Sequence, residues 1–256
     1  MQINGLILAG GTVDDRLRDR TQVNDEALIP IGQYVMVEYV VQAMKKSKAI
    51  DKIVVVGPVE QLRDKFKEDT DIILAPGGST VAGSVVNGLS VLPPSEYVLV
   101  ASSDIPLINA TALKGFIADC MELGSADFYY PIVERGLSES IFPGAHRTYV
   151  KLIEGSYTGG NVFLLRPEIV ASRVALADEL ISLRKDPYGL CKTIGPWFIF
   201  KFLLRQISIK EAEEKFSKLL GLKGVAVKCI YPEIGMDVDK PSDLDLVERV
   251  LLGIVS

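Results

Sequence analysis

The chain has 256 residues, of which 48% are hydrophobic and 24% charged, and carries a net charge of −5. That length allows a substantial core, and that composition excludes a disordered chain. The negative charge argues against a nucleic-acid partner, and the single histidine, His146, with three scattered cysteines supplies neither a zinc set nor a disulfide framework.

The first residues run directly into "INGLILAGG" with no cationic stretch or cleavage site, so no signal peptide is expected. "INGLILA", "KIVVVG", "DIILAP" and "YVLVAS" read as buried strands. Between them "QYVMVEYVVQAMKK", "VEQLRDKFKE" and "STVAGSVVNGLSVL" have helical spacing, with Met36, Val40, Ala43 and Met44 on one face of the first. This alternation predicts a mostly parallel sheet with helices on both sides and ligands at the strand ends. Beyond residue 125, "ADFYYPIV", "TYVKLIE" and "GNVFLLRP" read as strands of an antiparallel or mixed extension. Residues 167–222 read as a helical insertion ending at Gly221, and Trp197 with "FIFKFLL" as its buried face. That apolar run is broken by Lys201 and too short to cross a bilayer, so no membrane contact is expected. "VAVKCIY" is a further strand, and a last helix starts at Pro241 with Leu244, Val247 and Leu251 on one face. Without a linker or repeat, residues 1–256 read as one domain. Cys120, Cys191 and Cys229 read as reduced core thiols of a cytoplasmic protein.

Four stretches bear on chemistry. Leu8-Ala9-Gly10-Gly11 ends the first strand, where glycines let backbone N–H groups approach a phosphate; a plain turn reads equally well. Residues 77–89, "GGSTVAGSVVNGL", lead two glycines into a hydroxyl-bearing helix start, either a nucleotide contact or an ordinary cap. Asp104, in "SSDIP" after a central strand, suits Mg²⁺ or a turn. In Asp237-Val238-Asp239, alternation sends both carboxylates to one side, a repulsive pair unless a cation intervenes; a plain surface turn is the other reading.

In order, L-A-G-G, A-L-I-P-I-G, G-G-S-T…S-V-V-N-G-L, S-D-I-P and D-V-D-K-P-S-D-L resemble the nucleotidyltransferase superfamily. The resemblance is to its molybdenum-cofactor guanylyltransferase-like (MobA-like) branch, and the chain is also similar to methylerythritol phosphate cytidylyltransferases and sugar-nucleotide pyrophosphorylases. It implies a Rossmann-like three-layer α/β/α sandwich of the nucleotide-diphospho-sugar transferase type, with a mixed sheet and the helical insertion. It further implies Mg²⁺-dependent transfer of a nucleoside monophosphate from an NTP, CTP or GTP, to a phosphorylated small-molecule acceptor, releasing pyrophosphate. Carried over, Leu8, Ala9, Gly10, Gly11, Gly78, Ser84 and Asp104 bind the nucleotide. Asp104, Asp237 and Asp239 hold the metal, and Gly160 and Asn161 meet the acceptor. Lys151, a further acceptor-side candidate, reads as a cation folding over the acceptor or the phosphates or, slightly better, as a strand residue facing solvent. His146 and Arg147 read as surface positions, with acceptor contact as the other reading.

The family's first loop has an Arg after the glycines and a Lys before P-I-G. Arg16, Arg18 and Arg20 fill the first role as catalytic candidates, whereas the second position holds Glu26. Losing one transition-state stabiliser costs about 10²–10³ in rate. Three readings follow: an arginine compensates, the protein binds a nucleotide or sugar nucleotide without turnover, or the chemistry differs. The D-x-D also admits a nucleotide-sugar glycosyltransferase, although such folds place it mid-chain rather than near residue 237.

Overall fold

Alternating side chains on the first strand divide between two cores. In β1 (Ile3–Leu8), Ile3 and Ile7 face one side and Leu6 the other. The structure is a computed structural model and describes residues 1–170, 173, 176, 178 and 193–253. Each apolar run forms the expected strand: β4 (Ile53–Gly57), β5 (Ile72–Pro76) and β6 (Tyr97–Ser102) join β1 in parallel in the order β5-β4-β1-β6. Between β1 and β4 a short antiparallel hairpin, β2 (Pro30–Ile31) and β3 (Tyr34–Val35), turns at Gly32 with φ of 61°.

The helices that follow cover both faces. Helices α2 (Met36–Ser47), α3 (Val59–Phe66) and α5 (Ala110–Glu122) pack on the Ile3/Ile7 side, the first two after the four-residue helix α1 (Asp15–Arg18). Helix α4 (Val81–Val91) takes the Leu6 side with Val54, Val56, Val98 and Val100. It sits close because Gly88 has no Cβ; one would lie 2.6 Å from the Leu6 side chain. Asn4 is fully buried in β1 but satisfied, donating to Pro93 O at 2.8 Å and accepting from Lys52 N at 3.2 Å.

Beyond β6 the sheet becomes mixed. Strand β10 (Val162–Leu165) lies antiparallel between β6 and β7 (Phe128–Glu134). Strands β9 (Gly155–Gly159) and β8 (Val150–Leu152) extend it antiparallel, and β11 (Gly224–Cys229) runs parallel to β7. A short helix, α6 (Arg135–Ile141), follows β7. This is a Rossmann-like α/β fold with a nine-stranded, mostly parallel mixed sheet. Cys120 and Cys229 are free and buried, as expected, and burial pushes both thiols up.

Within the expected insertion, α7 (Pro196–Leu203) and α8 (Ile209–Leu220) are helical, and α8 ends at Gly221 with φ of 61°. Cys191 and the remainder of the insertion lie outside the described residues. One expectation fails here: Trp197 is 70% exposed and no residue of α7 is buried. The anchors at this corner are instead Ile207 and Ile209, and the Lys201–Glu211 ion pair ties α7 to α8 by its polar residue. The final helix, α9 (Pro241–Leu252), presents Leu244, Leu246 and Val247 to a separate core with Leu17, Ile29, Ile31 and Met36.

Candidate active site

The carboxyl ends of the parallel strands form one side of a cavity of about 830 Å³. Its wall includes Gly10 and Gly11 after β1, Gly57 and Pro58 after β4, residues 77–81 after β5, and Ser102 to Asp104 after β6. Gly10 is open to the cavity, since a Cβ there would meet nothing within 4 Å. At Gly11 a Cβ would lie 2.3 Å from Oε2 of Glu26. The backbone enforces that approach: Glu26 N donates to Gly11 O at 3.0 Å, beside the Thr12–Asp25 bridge.

The second glycine loop is braced by hydroxyls. Gly78 N donates to Ser84 Oγ at 2.9 Å, and Ser84 Oγ donates to Thr80 O at 3.0 Å. Thr80 caps α4 by accepting from Gly83 N at 2.9 Å and donates to Asp178 at 2.9 Å. Ser84 therefore lines the cavity and also fixes the path of Gly78, whose own Cβ would meet backbone at 2.5 Å.

Asp104 leaves β6 with Ser102 donating to its carboxylate, and its carbonyl accepts from Val238 N at 2.9 Å. That bond brings in the last loop, where Val238 is buried and Asp237 and Asp239 point the other way. One oxygen from each of Asp104, Asp237 and Asp239 lies within 4.8 Å of the others. Burial pushes Asp104 up, and it pushes Asp237 up to about 6 although Arg147 opposes it. Glu26 is pushed up to about 7 by burial, then by the charges of Asp104, Asp239, Asp14 and Asp237. Three convergent carboxylates, two of them with their charged forms disfavoured by burial, fit a hard divalent cation such as Mg²⁺, which would be held by Asp104, Asp237 and Asp239.

Arg147 has a larger structural part than its sequence suggested. Its side chain is only 6% exposed, donating to the Asp237 carboxylate, to Asp237 O at 2.5 Å, and pairing with Asp243 at 3.4 Å. Asp243 is itself buried and accepts from Asp239 N at 3.2 Å. This guanidinium thus anchors the metal-site loop to the start of α9, whereas His146 is exposed.

The other predicted residues separate. Leu8 and Asn161 line the cavity, and Asn161 is held there by its N–H to Ile234 O at 2.8 Å and its carbonyl from Ser102 N at 3.0 Å. Ala9 is buried, Gly160 packs against Ile234 and Pro131, and Lys151 is exposed on β8. None of the three arginines is among the described lining residues. Arg16 chelates Asp14 at 2.8 and 3.1 Å, Arg18 pairs with Asp15 at 3.3 Å, and Arg20 with Asp245 at 2.9 Å on α9. The guanidinium of Arg16 is held charged first by Asp14 and additionally by Asp239 and Asp243, which places it near the acidic cluster.

A glycine-walled cavity at the strand ends with carboxylates beside it defines an α/β protein with a ligand site at the carboxyl edge of its sheet. The chain belongs to the MobA-like NTP transferase domain family, whose profile matches residues 5–188. A hypothetical transferase from Thermus thermophilus superposes with a TM-score of 0.82 at 32% identity, covering 95% of this chain and 100% of that one. A nucleotidyl transferase from Methanothermobacter shares the fold, with a TM-score of 0.61 at 14% identity over 99% of each chain. The 2-C-methyl-D-erythritol 4-phosphate cytidylyltransferase of Streptomyces coelicolor is 40% identical over 102 residues, 36% of this chain and 37% of the relative. The same-named protein of Streptomyces avermitilis is 36% identical over 101 residues, 36% of this chain and 40% of the relative, so only about two fifths of either relative is spanned.

Proposed function

We propose that the protein is a nucleotidyltransferase that moves a nucleoside monophosphate from an NTP to a phosphorylated small-molecule acceptor and releases pyrophosphate, with Mg²⁺ as cofactor. The observation that carries this reading is the convergence of Asp104, Asp237 and Asp239 beside the glycine-walled cavity. The names of the Streptomyces relatives support CTP ahead of GTP and a small phosphorylated polyol as acceptor.

In this reading the backbone N–H groups of Gly10 and Gly11 face the phosphates, and the braced loop from Gly78 to Ser84 encloses the base. Asn161 marks the acceptor side, with Gly160 shaping it and Lys151 at its rim. Arg16 is the cation best placed to turn from Asp14 toward phosphate oxygens. An oxygen of the acceptor phosphate attacks the α-phosphorus, the bond to the β-phosphate breaks, and pyrophosphate leaves with the electron pair. Mg²⁺ bound at the three carboxylates would supply neutralisation of phosphate charge. The test is pyrophosphate release from CTP across phosphorylated polyols by the native protein and by Asp104→Asn. A fall of about 10²–10³ is expected for the variant; undiminished release would remove Asp104 from the reaction.

Nucleotide or sugar-nucleotide binding without turnover is a second reading. It is favoured by the absence of Lys and Arg from the described cavity lining, where Asp25 and Glu26 stand instead. Acceptor-dependent pyrophosphate release above the enzyme-free rate would exclude it.

A further inference from the structure

We propose that helix α7 and the cations around it form a docking surface for an anionic lipid bilayer. The helix reads "PWFIFKFL" and buries none of its residues. Trp197 is 70% exposed, Phe200 51%, Leu203 71% and, one position past the helix, Leu204 49%. These four share one face, at i, i+3, i+6 and i+7, with Trp197 and Phe200 stacked at 5.6 Å. Ile153, 65% exposed, belongs to the adjoining β8–β9 turn through its N–H to Ile207 O at 3.0 Å. Aromatic and aliphatic side chains clustered in this way exceed the scattered apolar residues of an ordinary surface. The presentation is also fixed: Pro196 starts the helix, Gln206 N closes it on Lys201 O at 2.9 Å, and Lys201 is ion-paired to Glu211.

Charge selects the occupant. Residues 194–223 contain six cations (Lys201, Arg205, Lys210, Lys215, Lys218, Lys223) and three glutamates, a net of +3 in a chain of −5. Among the described residues no salt bridge engages Arg205, Lys215 or Lys218. A groove of about 440 Å³ beside Trp197 and Phe198 is lined by Lys201, Lys215 and Lys218 against Glu211 and Glu214, so cations exceed acids there as well. A second copy of the chain is disfavoured, because a two-fold contact through this face would set the same positive patch against itself. An anionic bilayer meets both halves of the surface, headgroups for the cations and the acyl boundary for Trp, Phe and Leu. At about 12 Å long the helix lies in the interface and cannot cross it, and no described helix is long and apolar enough to span a membrane.

Trp197 is the only tryptophan, so its emission reports on this face directly. The full chain is titrated with phosphatidylcholine vesicles and with equimolar phosphatidylcholine–phosphatidylglycerol vesicles, and flotation is scored alongside. The expected result is a blue shift and co-flotation with the anionic vesicles only, weakened by salt. Phe200→Ser with Leu203→Ser, and separately Lys215→Glu with Lys218→Glu, should each reduce binding about tenfold or more. Neither pair should alter the urea midpoint or nucleotide-dependent thermal shifts. No binding, or equal binding to neutral vesicles, overturns the proposal. So does a dimeric mass with Trp197 emission already blue without lipid, which would mean that a protein surface covers the face.

Discussion

A carboxyl group pressed against a glycine Cα and facing four aspartates lowers its energy by holding a proton, and Glu26 is in that position. Its ordinary value of 4.5 is raised to about 7 in the folded protein. Between those values the native state binds a proton that the unfolded chain has released, so stability falls as pH rises through the window. Glu26→Gln should therefore leave stability unchanged near pH 4 and raise it by about 1 kcal/mol near pH 8, after allowance for solvent reaching this half-buried group. Urea midpoints at the two pH values check this, and a variant whose gain is the same at both would contradict it. Arg147 is the converse case, a buried cation between two acids. Arg147→Gln leaves Asp243 buried with no guanidinium partner and should cost about 3–5 kcal/mol, read by urea unfolding. Asp243→Asn added to it should recover part of the loss, whereas strict additivity of the two changes would argue against the pairing.

At the scale of elements, the site is made by loops whose paths the sequence partly discloses. Strands β1, β4, β5 and β6 and helices α2 to α4 were legible because each is short, apolar and periodic, and a parallel sheet puts their ends on one edge. Asp237 and Asp239 were legible as a pair because alternation around buried Val238 needs no distant partner. Arg147 was not, since what buries it is an aspartate ninety positions later, and nothing local distinguishes it from exposed His146. Arg16, Arg18 and Arg20 were placed near the glycines by sequence proximity, but where each guanidinium goes is decided by Asp14, Asp15 and Asp245. Trp197 misled for a simpler reason: apolarity predicts burial only when something is packed against it. The most restrictive element is the loop before α4. Gly78→Ala puts a Cβ 2.5 Å from Gly83 C and 2.6 Å from Ser84 N, both backbone, so the start of α4 must shift. Stability should drop by about 1–3 kcal/mol, and nucleotide-dependent thermal shifts should be lost while the far-UV spectrum stays native. Retained shifts would place the base elsewhere.

The whole molecule adds a constraint that no single residue carries. The chain is net negative, and Glu26, Asp104, Asp237 and Asp239 crowd around the cavity with Arg147 already committed to Asp237 and Asp243. A triphosphate arriving alone meets like charge, and a divalent cation arriving alone lacks the phosphate oxygens that complete its preferred six-oxygen shell. Each should therefore make the other bind more tightly, a coupling that is reciprocal. In a thermal-shift panel of CTP, GTP, UTP and ATP, Mg²⁺ alone should move the melting temperature little and a nucleotide alone hardly at all. The favoured nucleotide with Mg²⁺ at about a hundred times its Kd stabilises by about 2.7 kcal/mol, which for a chain of this size is about 5–10 °C. Asp239→Asn removes one of the three converging carboxylates while leaving the cavity wall intact, so it should abolish the excess of the joint shift over the separate ones. Equal shifts with and without Mg²⁺ would mean that the nucleotide binds beside the carboxylates without the help of a metal, and that its charge is met by arginines instead.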